Sequence, residues 1–508
     1  MTGGRVAASP VDIGPGGPAE HLGGPRVDIP EAVLDRLRGD GVAVSTEPQS
    51  RADAARDWWP LSIGWAARGQ VPALPAVVAR PTEVAQVVSV LRRCNEARVP
   101  VTPIAGGSGV CGGSVPVFGG LSLDLTGLSG LYDIDETSLL ADVGAGTFGP
   151  DLEASLSAAG SGYTFGHWPQ SMDISTVGGW IACRGAGQYS TRYGKIEDLV
   201  AGLEVVLADG KVVRTDGVAP RSATGPNLTQ LFLGSEGTLG VVTAARLRVT
   251  PSPAAEGRRA NGFGSFEDGL DACRRILRRG ATPAVLRLYD QTESRRNFDA
   301  EACVMVIYDE ADPLILESTL AVCDEECAAT ADRLDDELVA RWLRERNDTS
   351  ALGPLWKANI VVDTIEVAGR WSVLADLAHD VVATLRDLEG TLAASTHQSH
   401  AYPDGACLYF TFGGRRPAGA DVGDDAELAW QETYYRRAWD TATACVLRHG
   451  AAISHHHGIG LNRGRFLAEA LGPGFAVLQS MKDALDPSGI LNPGKLGLAS
   501  GFGPAPWP

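Results

Sequence analysis

Three long glycine-dense stretches in the first half of the chain restrict what it can fold into. They read "PIAGGSGVCGGS" from Pro103, "GHWPQSMDISTVGGWIACRGAGQYSTRYG" from Gly166 and "GSEGTLGVVT" from Gly234. The second stretch shows no helical or strand periodicity, and irregular segments of that length are usually functional or disordered. Glycine lets successive backbone N–H groups approach an anion closely. Three such loops therefore indicate a large flat ligand with a long phosphate tail.

Two of the glycine runs match the pattern GxGxxG, "GSGVCG" at 107–112 and "GAGTFG" at 144–149. A Rossmann fingerprint needs a strand before the glycines, a helix after them and an acidic residue about 20 positions later. The first run leads into another turn and strand. The second has both elements but no well-placed acid, so we expect loop amides, and not a Rossmann site, to bind the phosphates.

The remaining periodicities predict an α+β protein in four parts. Residues 1–70 form an N-terminal segment that is Gly/Pro-rich, and expected to be disordered, as far as residue 26, and then helical. Residues 71–252 form a first α+β domain that holds the glycine loops. Residues 253–450 are richer in Arg, Asp and Glu and form a second α+β domain, and residues 451–508 form a C-terminal return.

Composition excludes several classes of function. The chain carries 44 Lys and Arg against 62 Asp and Glu, a net charge of −18, which does not suit binding to nucleic acid. The sequence shows neither a run of 18 apolar residues nor an apolar signal region at its start. Its nine cysteines contain no CxxC pair and are expected to be reduced thiols. We therefore expect a cytoplasmic protein.

A run of three histidines, His455 to His457, occurs in "ISHHHGIGLNRG" and accounts for a third of the nine histidines in the chain. On an extended strand, the first and third histidines would share a face and the second would oppose them. Zinc would need at least one further ligand, for which His397 and His400 are available. Imidazole is equally the natural general base at neutral pH. Both interpretations remain open at this point.

The order of motifs resembles the FAD-linked oxidases of the vanillyl-alcohol oxidase and p-cresol methylhydroxylase (PCMH) type. It runs from the "PIAGGSGVCGG" loop through "STVGG" and "GSEGTLG" to "DPSGILNPGK". Within that superfamily the alkyldihydroxyacetonephosphate synthases are the most similar, on "DWWP", "GHWPQSMDISTVGGW", "YGKIEDLV", "AVLRLYD", "ACLYFTF" and "SHHHGIG". The resemblance implies a two-subdomain FAD-binding domain of the PCMH type at 71–252 and an α+β cap, or substrate, domain at 253–450. The C-terminal return would complete the active site.

The same resemblance implies FAD as a noncovalent cofactor. Flavins elsewhere in the superfamily are attached through His or Cys, so Cys111 in the first loop is the residue to check for attachment. The residues implied to contact FAD lie in four short stretches: Pro103, Ile104, Ala105, Gly106, Gly107, Ser108 and Gly109; Gln170, Ser171, Met172, Asp173, Ile174, Ser175 and Thr176; Cys183, Arg184, Gly185 and Ala186; and Glu236, Gly237, Thr238, Leu239, Gly240, Val241 and Val242.

The resemblance also implies the roles of the active-site residues. His456 would transfer a proton, with His455 and His457 positioning it and Tyr409 as the hydroxyl partner. Arg287 would hold a substrate phosphate, which suits a guanidinium.

Two departures from related families concern phosphate and metal binding. Lys357 stands where the synthases have a second arginine, and lysine binds phosphate only as a point charge. In related metal-dependent dehydrogenases a glutamate occupies the position of His456. That carboxylate is lost here although His400 remains, so no metal site is predicted.

Three functions follow from this comparison. The first is an ether-lipid synthase, which exchanges the acyl chain of an acyl-dihydroxyacetonephosphate for a fatty alcohol through an adduct at the flavin N5. The second is an FAD-linked dehydrogenase or oxidase of D-2-hydroxy acids or alcohols, with a metal at His400 and the triplet, and the third is a non-enzymatic FAD-binding protein. The expected partners are a small-molecule or lipid substrate, the membrane surface through peripheral contact, and a second copy in a homodimer.

Overall fold

The structure is a computed structural model that describes residues 11, 18–215, 217–417 and 423–507. The disorder predicted for the first 26 residues falls mostly outside these ranges, on residues 1–10 and 12–17. All helices and strands given below lie within the described residues and are numbered in chain order.

The strands of the described residues are β1 (Ala19–Glu20), β2 (Ala43–Ser45), β3 (Gln70–Val71), β4 (Val77–Arg80), β5 (Val101–Ile104), β6 (Leu121–Asp124), β7 (Leu131–Asp135), β8 (Leu140–Gly144), β9 (Tyr163–Thr164), β10 (Val200–Val206), β11 (Val212–Arg214), β12 (Val241–Arg248), β13 (Thr250–Pro251), β14 (Ala255–Phe263), β15 (Val285–Tyr289), β16 (Cys303–Ala311), β17 (Ala331–Leu334), β18 (Val361–Arg370), β19 (Thr391–Tyr402) and β20 (Gly405–Gly414).

The helices are α1 (Glu31–Gly39), α2 (Pro48–Asp53), α3 (Pro60–Ala66), α4 (Val84–Ala97), α5 (Gly149–Ala158), α6 (Val177–Cys183), α7 (Ser190–Tyr193), α8 (Ile196–Leu199), α9 (Leu228–Phe232), α10 (Phe266–Arg278), α11 (Gln291–Phe298), α12 (Pro313–Cys327), α13 (Glu337–Glu345), α14 (Leu352–Lys357), α15 (Leu374–Arg386), α16 (Asp424–Arg448), α17 (Gly464–Leu471) and α18 (Gly474–Leu485).

A four-stranded sheet of order β2-β4-β6-β5 carries the first glycine loop. Its three longer strands are parallel and most of their residues are buried, as expected of a sheet covered on both faces. Helix α4 covers it with Val87, Val90, Leu91 and Cys94, whose spacing places all four on one side of the helix. Because β5 ends at Ile104, the loop that follows begins at the edge of this sheet.

A five-stranded antiparallel sheet of order β11-β10-β12-β8-β7 forms the second half of this region. The expectation that residues 166–194 lack regular elements was wrong, because they include helices α6 and α7. Both helices are shorter than two full turns, which explains why no periodicity is visible in the sequence. The side chain of Thr176 caps α6 by accepting a hydrogen bond from the amide of Gly179 at 3.3 Å.

A seven-stranded antiparallel sheet of order β17-β14-β16-β15-β19-β20-β18 dominates the second region. Helices α10, α12, α15 and α16 contribute to one large apolar core together with this sheet. The strands β15, β19, β20 and β18 lie side by side, so residues far apart in sequence come level with one another.

The terminal segments pack into the body of the molecule. Residues 27–70 are not purely helical as expected, because β2 pairs with β4, and β1, within the stretch expected to be disordered, pairs with β3. Trp59 and Trp65 form edge-to-face contacts with Trp507, whose exposed fraction is 7%. Near the C-terminus, Leu491 forms a parallel bridge to Val101 at the start of β5.

No helix among the described residues is long and apolar enough to cross a membrane. All nine cysteines are free thiols, and eight of them are buried.

Candidate active site

The register of three neighbouring strands brings polar side chains to one level of the seven-stranded sheet. Tyr409 on β20 is paired directly with Glu366 on β18 and with His397 on β19. Residues directly opposite each other in antiparallel strands point to the same face. The side chains of Glu366, Tyr409 and His397 therefore lie side by side on that face, with Tyr409 in the middle.

The Tyr409 hydroxyl contacts two residues of the histidine triplet. Its Oη lies 2.6 Å from His456 Nε2 and 3.0 Å from His457 Nε2. A third contact joins His455 Nδ1 to His456 Nδ1 at 2.8 Å. The structure thus brings together all four residues that were predicted to be catalytic.

The backbone of the triplet wraps around one buried carboxylate. Glu366 accepts hydrogen bonds from the amides of His455, His456 at 3.3 Å and His457 at 2.9 Å, and from the Ser454 hydroxyl at 2.8 Å. The triplet is consequently a bend and not a strand, so the expected alternation of faces does not occur. His456 and His457 both reach the same tyrosine because of this bend.

Arg463 pairs with the Glu366 carboxylate and neutralises its charge. Its Nη1 donates to Glu366 Oε1 at 2.9 Å and to the Ile453 carbonyl at 2.7 Å, and both charged side chains are almost fully buried. Burial opposes ionisation, but the Arg463 charge, His457 and the triplet amides together hold the pKa of Glu366 below its usual range. A buried ion pair of this kind fixes the geometry of the loop.

Tyr409, His400 and the histidine triplet form one cluster. Its four imidazoles are neutral at pH 7. Burial is the main cause that lowers the pKa of His400, His455 and His456 well below the usual value, and neighbouring positive charge adds to it. Burial also lowers the pKa of His457 to about 4, although Glu366 acts in the opposite direction. Neutral imidazoles can accept protons, so the cluster is suited to general-base chemistry.

Arg287 lies on β15 and contacts His397. Its Nη2 donates to His397 Nε2 at 2.6 Å, and the other nitrogen of that ring donates to Glu293 Oε2 at 2.7 Å. The Arg287 Nε is buried and has no hydrogen-bond partner among the described residues. A guanidinium with an unused donor is ready to bind an anion.

A second arginine shares an aromatic ring with Arg287. The guanidinium of Arg287 lies 5.7 Å from the ring centre of Trp342, and that of Arg346 lies 5.8 Å from the same ring. Arg346 also lies 4.7 Å from the ring centre of Tyr189. Aromatic faces hold such cations in place without neutralising them. Two positive charges are therefore available on this side of the cluster.

Lys357 is not brought to the cluster. It is exposed at the end of α14, and β18 begins only at Val361, five residues before Glu366. Five residues of strand span roughly 17 Å at about 3.3 Å per residue. The second positive charge beside Arg287 comes from Arg346, which the sequence comparison did not select.

The first glycine loop has the open amides that a phosphate group needs. Within the described residues, the backbone N–H groups of Gly106, Gly107, Ser108 and Gly109 donate to no protein acceptor. A side chain at Gly106 would press into the carbonyl of Ile174, so this loop packs closely on the "QSMDIST" stretch. A run of free amides beside close-packed backbone fits the pyrophosphate of FAD.

One of the other stretches implied to bind FAD, Glu236 to Val242, is tied to the triplet loop through its first residue. Glu236 accepts hydrogen bonds from the amides of Ile459 at 2.6 Å and Gly460 at 2.8 Å. Cys111 is buried, and its carbonyl accepts from the amide of Leu461 at 2.9 Å. The expected cofactor loops and the expected catalytic residues therefore belong to one connected structure.

Three histidines could also be considered as metal ligands. His400, His455 and His456 each offer a nitrogen within 4.8 Å of the others. However, the Tyr409 hydroxyl and His455 Nδ1 already contact both ring nitrogens of His456, and Ser190 Oγ lies 2.8 Å from His400 Nδ1. A cation would have to displace these contacts, so the arrangement favours a hydrogen-bonded cluster.

Sequence reasoning missed Glu366, Glu293, Arg346 and Arg463. Glu366 and Arg463 lie in the segments "DTIEV" and "GLNRG", next to motifs that were recognised. Acidic residues in a mostly apolar strand, as in "IVVDTIEV", are the available signal, and it does not distinguish Glu366 from Asp363. The partner of Glu366, Arg463, lies 97 positions away, and only the folded structure reveals the contact.

Fold and site together define a flavoprotein of the FAD-linked oxidase class. Residues 75–216 match the family described as "FAD binding domain", and residues 253–496 match "FAD linked oxidases, C-terminal domain". The chain belongs to this family, which confirms the predicted α+β fold and FAD as the cofactor.

Relatives with and without an assigned activity show similar sequence identity to this chain. The FAD-linked oxidoreductase YgcU of Escherichia coli K12, described as uncharacterised, is 30% identical over 83% of this chain and 89% of its own length. Alkyldihydroxyacetonephosphate synthase of Caenorhabditis elegans is 27% identical over 94% of this chain and 86% of its own. Glycolate oxidase subunit GlcD of Bacillus subtilis is 28% identical over 86% of this chain and 92% of its own.

Solved structures share the fold. A structure of alkyldihydroxyacetonephosphate synthase superimposes with a TM-score of 0.75 at 23% identity, covering 93% of this chain and 87% of that one. p-Cresol methylhydroxylase with substrate bound gives a TM-score of 0.74 at 18% identity, covering 92% and 96%.

Proposed function

We propose that this chain is an FAD-dependent enzyme that removes a proton from the carbon beside a carbonyl group of an anionic substrate. In the finer form of the proposal the reaction is that of an alkyldihydroxyacetonephosphate synthase. The acyl chain of an acyl-dihydroxyacetonephosphate-like substrate is exchanged for a fatty alcohol, which gives an ether lipid.

The observation that carries the proposal is the contact of the Tyr409 hydroxyl with His456 and His457, at 2.6 and 3.0 Å. Neutral, buried imidazoles joined to a phenol can take up a proton and pass it on. When bound, FAD supplies an electrophilic ring that accepts either carbon or hydride from a substrate. The residues of this chain hold the substrate and move its proton.

Arg287 is proposed to hold the anionic group of the substrate. Its buried Nε lacks a partner in the described part of the chain, and its bonded neighbour, His397, is a neutral ring. Phosphate or carboxylate oxygens would satisfy that donor and pair with the charge. Arg346 would add a second positive charge across Trp342, in the role that was expected of Lys357.

The alternative is an FAD-linked dehydrogenase or oxidase of D-2-hydroxy acids or alcohols. It is supported by the absence of Lys357 from the cluster, because a carboxylate needs fewer cations than a phosphate. It is also supported by the 28% identity to the glycolate oxidase subunit GlcD.

The deciding measurement is the visible spectrum of the FAD-loaded protein without oxygen. A panel of D- and L-2-hydroxy acids is titrated first, and an acyl-dihydroxyacetonephosphate second. Bleaching by a hydroxy acid would mean net hydride transfer and would overturn the synthase proposal. A spectral change only with the acyl-dihydroxyacetonephosphate, with release of fatty acid, is the expected result.

The anion site is tested by Arg287→Lys, with Arg295→Lys as the matched control. Arg295 is exposed and pairs with Glu301 away from the site. We expect the Kd of the anionic substrate to rise about 10- to 100-fold in the first variant only, since lysine cannot donate from two nitrogens. Equal affinities in both variants would remove Arg287 from the binding site.

A further inference from the structure

One tyrosine and three histidines form a single hydrogen-bonded row. Its links are His457 Nε2 to Tyr409 Oη at 3.0 Å, Tyr409 Oη to His456 Nε2 at 2.6 Å, and His456 Nδ1 to His455 Nδ1 at 2.8 Å. The row ends at His457 Nδ1 and His455 Nε2. Both of these atoms are buried and have no hydrogen-bond partner among the described residues.

The positions of the protons follow from counting them. Each neutral imidazole and the phenol carries one proton, so the four side chains hold four. Each of the three links needs one proton to be a hydrogen bond. One proton therefore remains for the two ends of the row, and one end nitrogen must be bare.

The carboxylate of Glu366 decides which end keeps the proton. The three triplet amides, the Ser454 hydroxyl and Arg463 all present hydrogens to it, so it must be an ionised acceptor. Its Oε1 lies 3.7 Å from His457 Nδ1. A proton at Nδ1 is attracted to the carboxylate, whereas a lone pair there would be repelled.

A second charge acts on the other end. The Lys195 ammonium donates to the backbone carbonyl of His455 at 2.7 Å. A cation at that position disfavours positive charge resting on the His455 ring. Both charges therefore act in the same direction along the row.

We propose that the row is a polarised proton relay in which His455 Nε2 is the bare nitrogen that takes the proton and Glu366 stabilises the charge at the far end, on His457. That the proton comes from the substrate carbon beside the carbonyl group rests on the proposed function. The relay makes His455 the general base in place of His456, and it makes Glu366 a positioning residue.

The relay step balances without an added oxidant or reductant. The substrate C–H bond breaks, its electron pair stays on carbon, and the proton bonds to His455 Nε2. The Nδ1 proton of His455 moves to His456 Nδ1, the Nε2 proton of His456 moves to the Tyr409 oxygen, and the original hydroxyl proton moves to His457 Nε2. At the end His457 is an imidazolium beside the Glu366 carboxylate, and the other three side chains are again neutral.

The test is the proton position on each ring, read from nitrogen-15 NMR of histidine-labelled, FAD-loaded protein without substrate. Each signal is assigned by its loss in a single His→Asn variant. We expect the proton on Nδ1 of His455, Nε2 of His456 and Nδ1 of His457. A proton found on Nε2 of His455 would overturn the relay.

A second measurement uses Tyr409→Phe, which removes one oxygen and leaves the ring. Without the hydroxyl, Glu366 no longer polarises His455 and His456 and only the Lys195 charge still acts on them, so the proton should appear on His455 Nε2 in a measurable fraction of the molecules. Tyr434→Phe, which removes a hydroxyl 2.8 Å from Thr391 Oγ1, should keep the wild-type pattern. An unchanged His455 signal in Tyr409→Phe would contradict the relay. Since no substrate is present, failure of the proposed reaction would leave this result intact.

Discussion

Tyr409 is the residue at which the two halves of the candidate site meet. Its ring stacks on His397 with centres 4.9 Å apart and planes within 9°, and its hydroxyl reaches the histidine triplet. Through His397 it is adjacent to Arg287, the proposed anion-binding residue. One side chain therefore connects the group that binds the substrate with the groups that move its proton.

Tyr409→Phe should lower kcat by about 10²- to 10⁴-fold, the usual contribution of general acid–base groups, while FAD content stays unchanged. Leaving buried polar atoms unpaired should also lower the free energy of unfolding by about 1–3 kcal/mol. The rate is measured with the substrate that the spectral panel identifies. Tyr434→Phe is the control, and a Tyr409→Phe variant with more than about a tenth of wild-type kcat would contradict the role given to this hydroxyl.

His167 makes the stability of the protein depend on pH. It is buried between Phe165 and Trp180, its ring nitrogens have no partner in the described residues, and burial lowers its pKa to about 3. In the unfolded chain the pKa is about 6.5. The unfolded state therefore binds more protons between these values, and stability falls as pH drops from about 6.5 towards 3.

His167→Phe should remove this part of the acid sensitivity. Relative to pH 7, the variant should gain about 2 kcal/mol over the wild type at pH 5, at 1.36 kcal/mol for each pH unit. Urea unfolding at both pH values measures the difference. The exposed His379→Phe is the control, and parallel pH curves for His167→Phe and wild type would show that His167 is not buried as a neutral ring.

At the level of elements, the site is made where loops meet one face of the seven-stranded sheet. Strands β18, β20 and β19 set Glu366, Tyr409 and His397 level, while the first glycine loop and the triplet loop pack together through Cys111 and Leu461. The loops have little regular structure of their own. Their shape depends on backbone contacts between segments far apart in sequence.

The sequence was informative where a motif acts locally and uninformative where a partner is distant. The glycine stretches and the histidine triplet led to the proposed FAD loops and the proposed catalytic cluster, because glycine and histidine carry specific chemistry in place. Glu366 could not be chosen from several acidic residues, since its role arises from hydrogen bonds to positions 88 to 97 residues away. Lys357 was implied only by the resemblance to the synthases, and the end of α14 places it elsewhere.

Gly106→Ala tests the packing of the first loop. The new methyl group would press on the Ile174 carbonyl, so we expect a loss of about 1–3 kcal/mol in the free energy of unfolding and at least tenfold weaker FAD binding. The ratio of flavin to protein absorbance and urea unfolding measure the two effects. Gly264→Ala, where a methyl group meets nothing within 4 Å, is the control. Full FAD content in Gly106→Ala would argue against this loop as the phosphate site.

In the whole molecule the C-terminal return holds the cofactor loops together. The buried Lys482 ammonium donates to the carbonyls of Thr238 at 2.9 Å and Leu491 at 2.7 Å, and pairs with Asp486. Asn492 Nδ2 donates to the Glu236 carbonyl at 2.7 Å. The last helix therefore bonds directly to the "GSEGTLG" loop, one of the stretches proposed to bind FAD, although the two lie far apart in sequence.

Lys482→Met should destabilise the protein by about 3–5 kcal/mol, because it leaves the Asp486 charge buried and unpaired. FAD should also bind more weakly, since the Thr238 carbonyl loses its donor. Adding Asp486→Leu should restore part of the stability but not the FAD affinity. Lys211→Met, at an exposed pair with Asp209, is the control, and a Lys482→Met variant as stable as that control would contradict the role of this bridge.

The fluorescence of the edge-to-face cluster of Trp59, Trp65 and Trp507 reports whether the terminal segments are in place. Indole emission shifts to longer wavelength when water reaches the ring, and these three rings lie where both terminal segments meet the body of the chain. Detachment of either terminus would therefore shift the emission to longer wavelength even while the sheets remain folded. Comparing that signal with flavin release would show whether the ends of the chain or the cofactor leaves first.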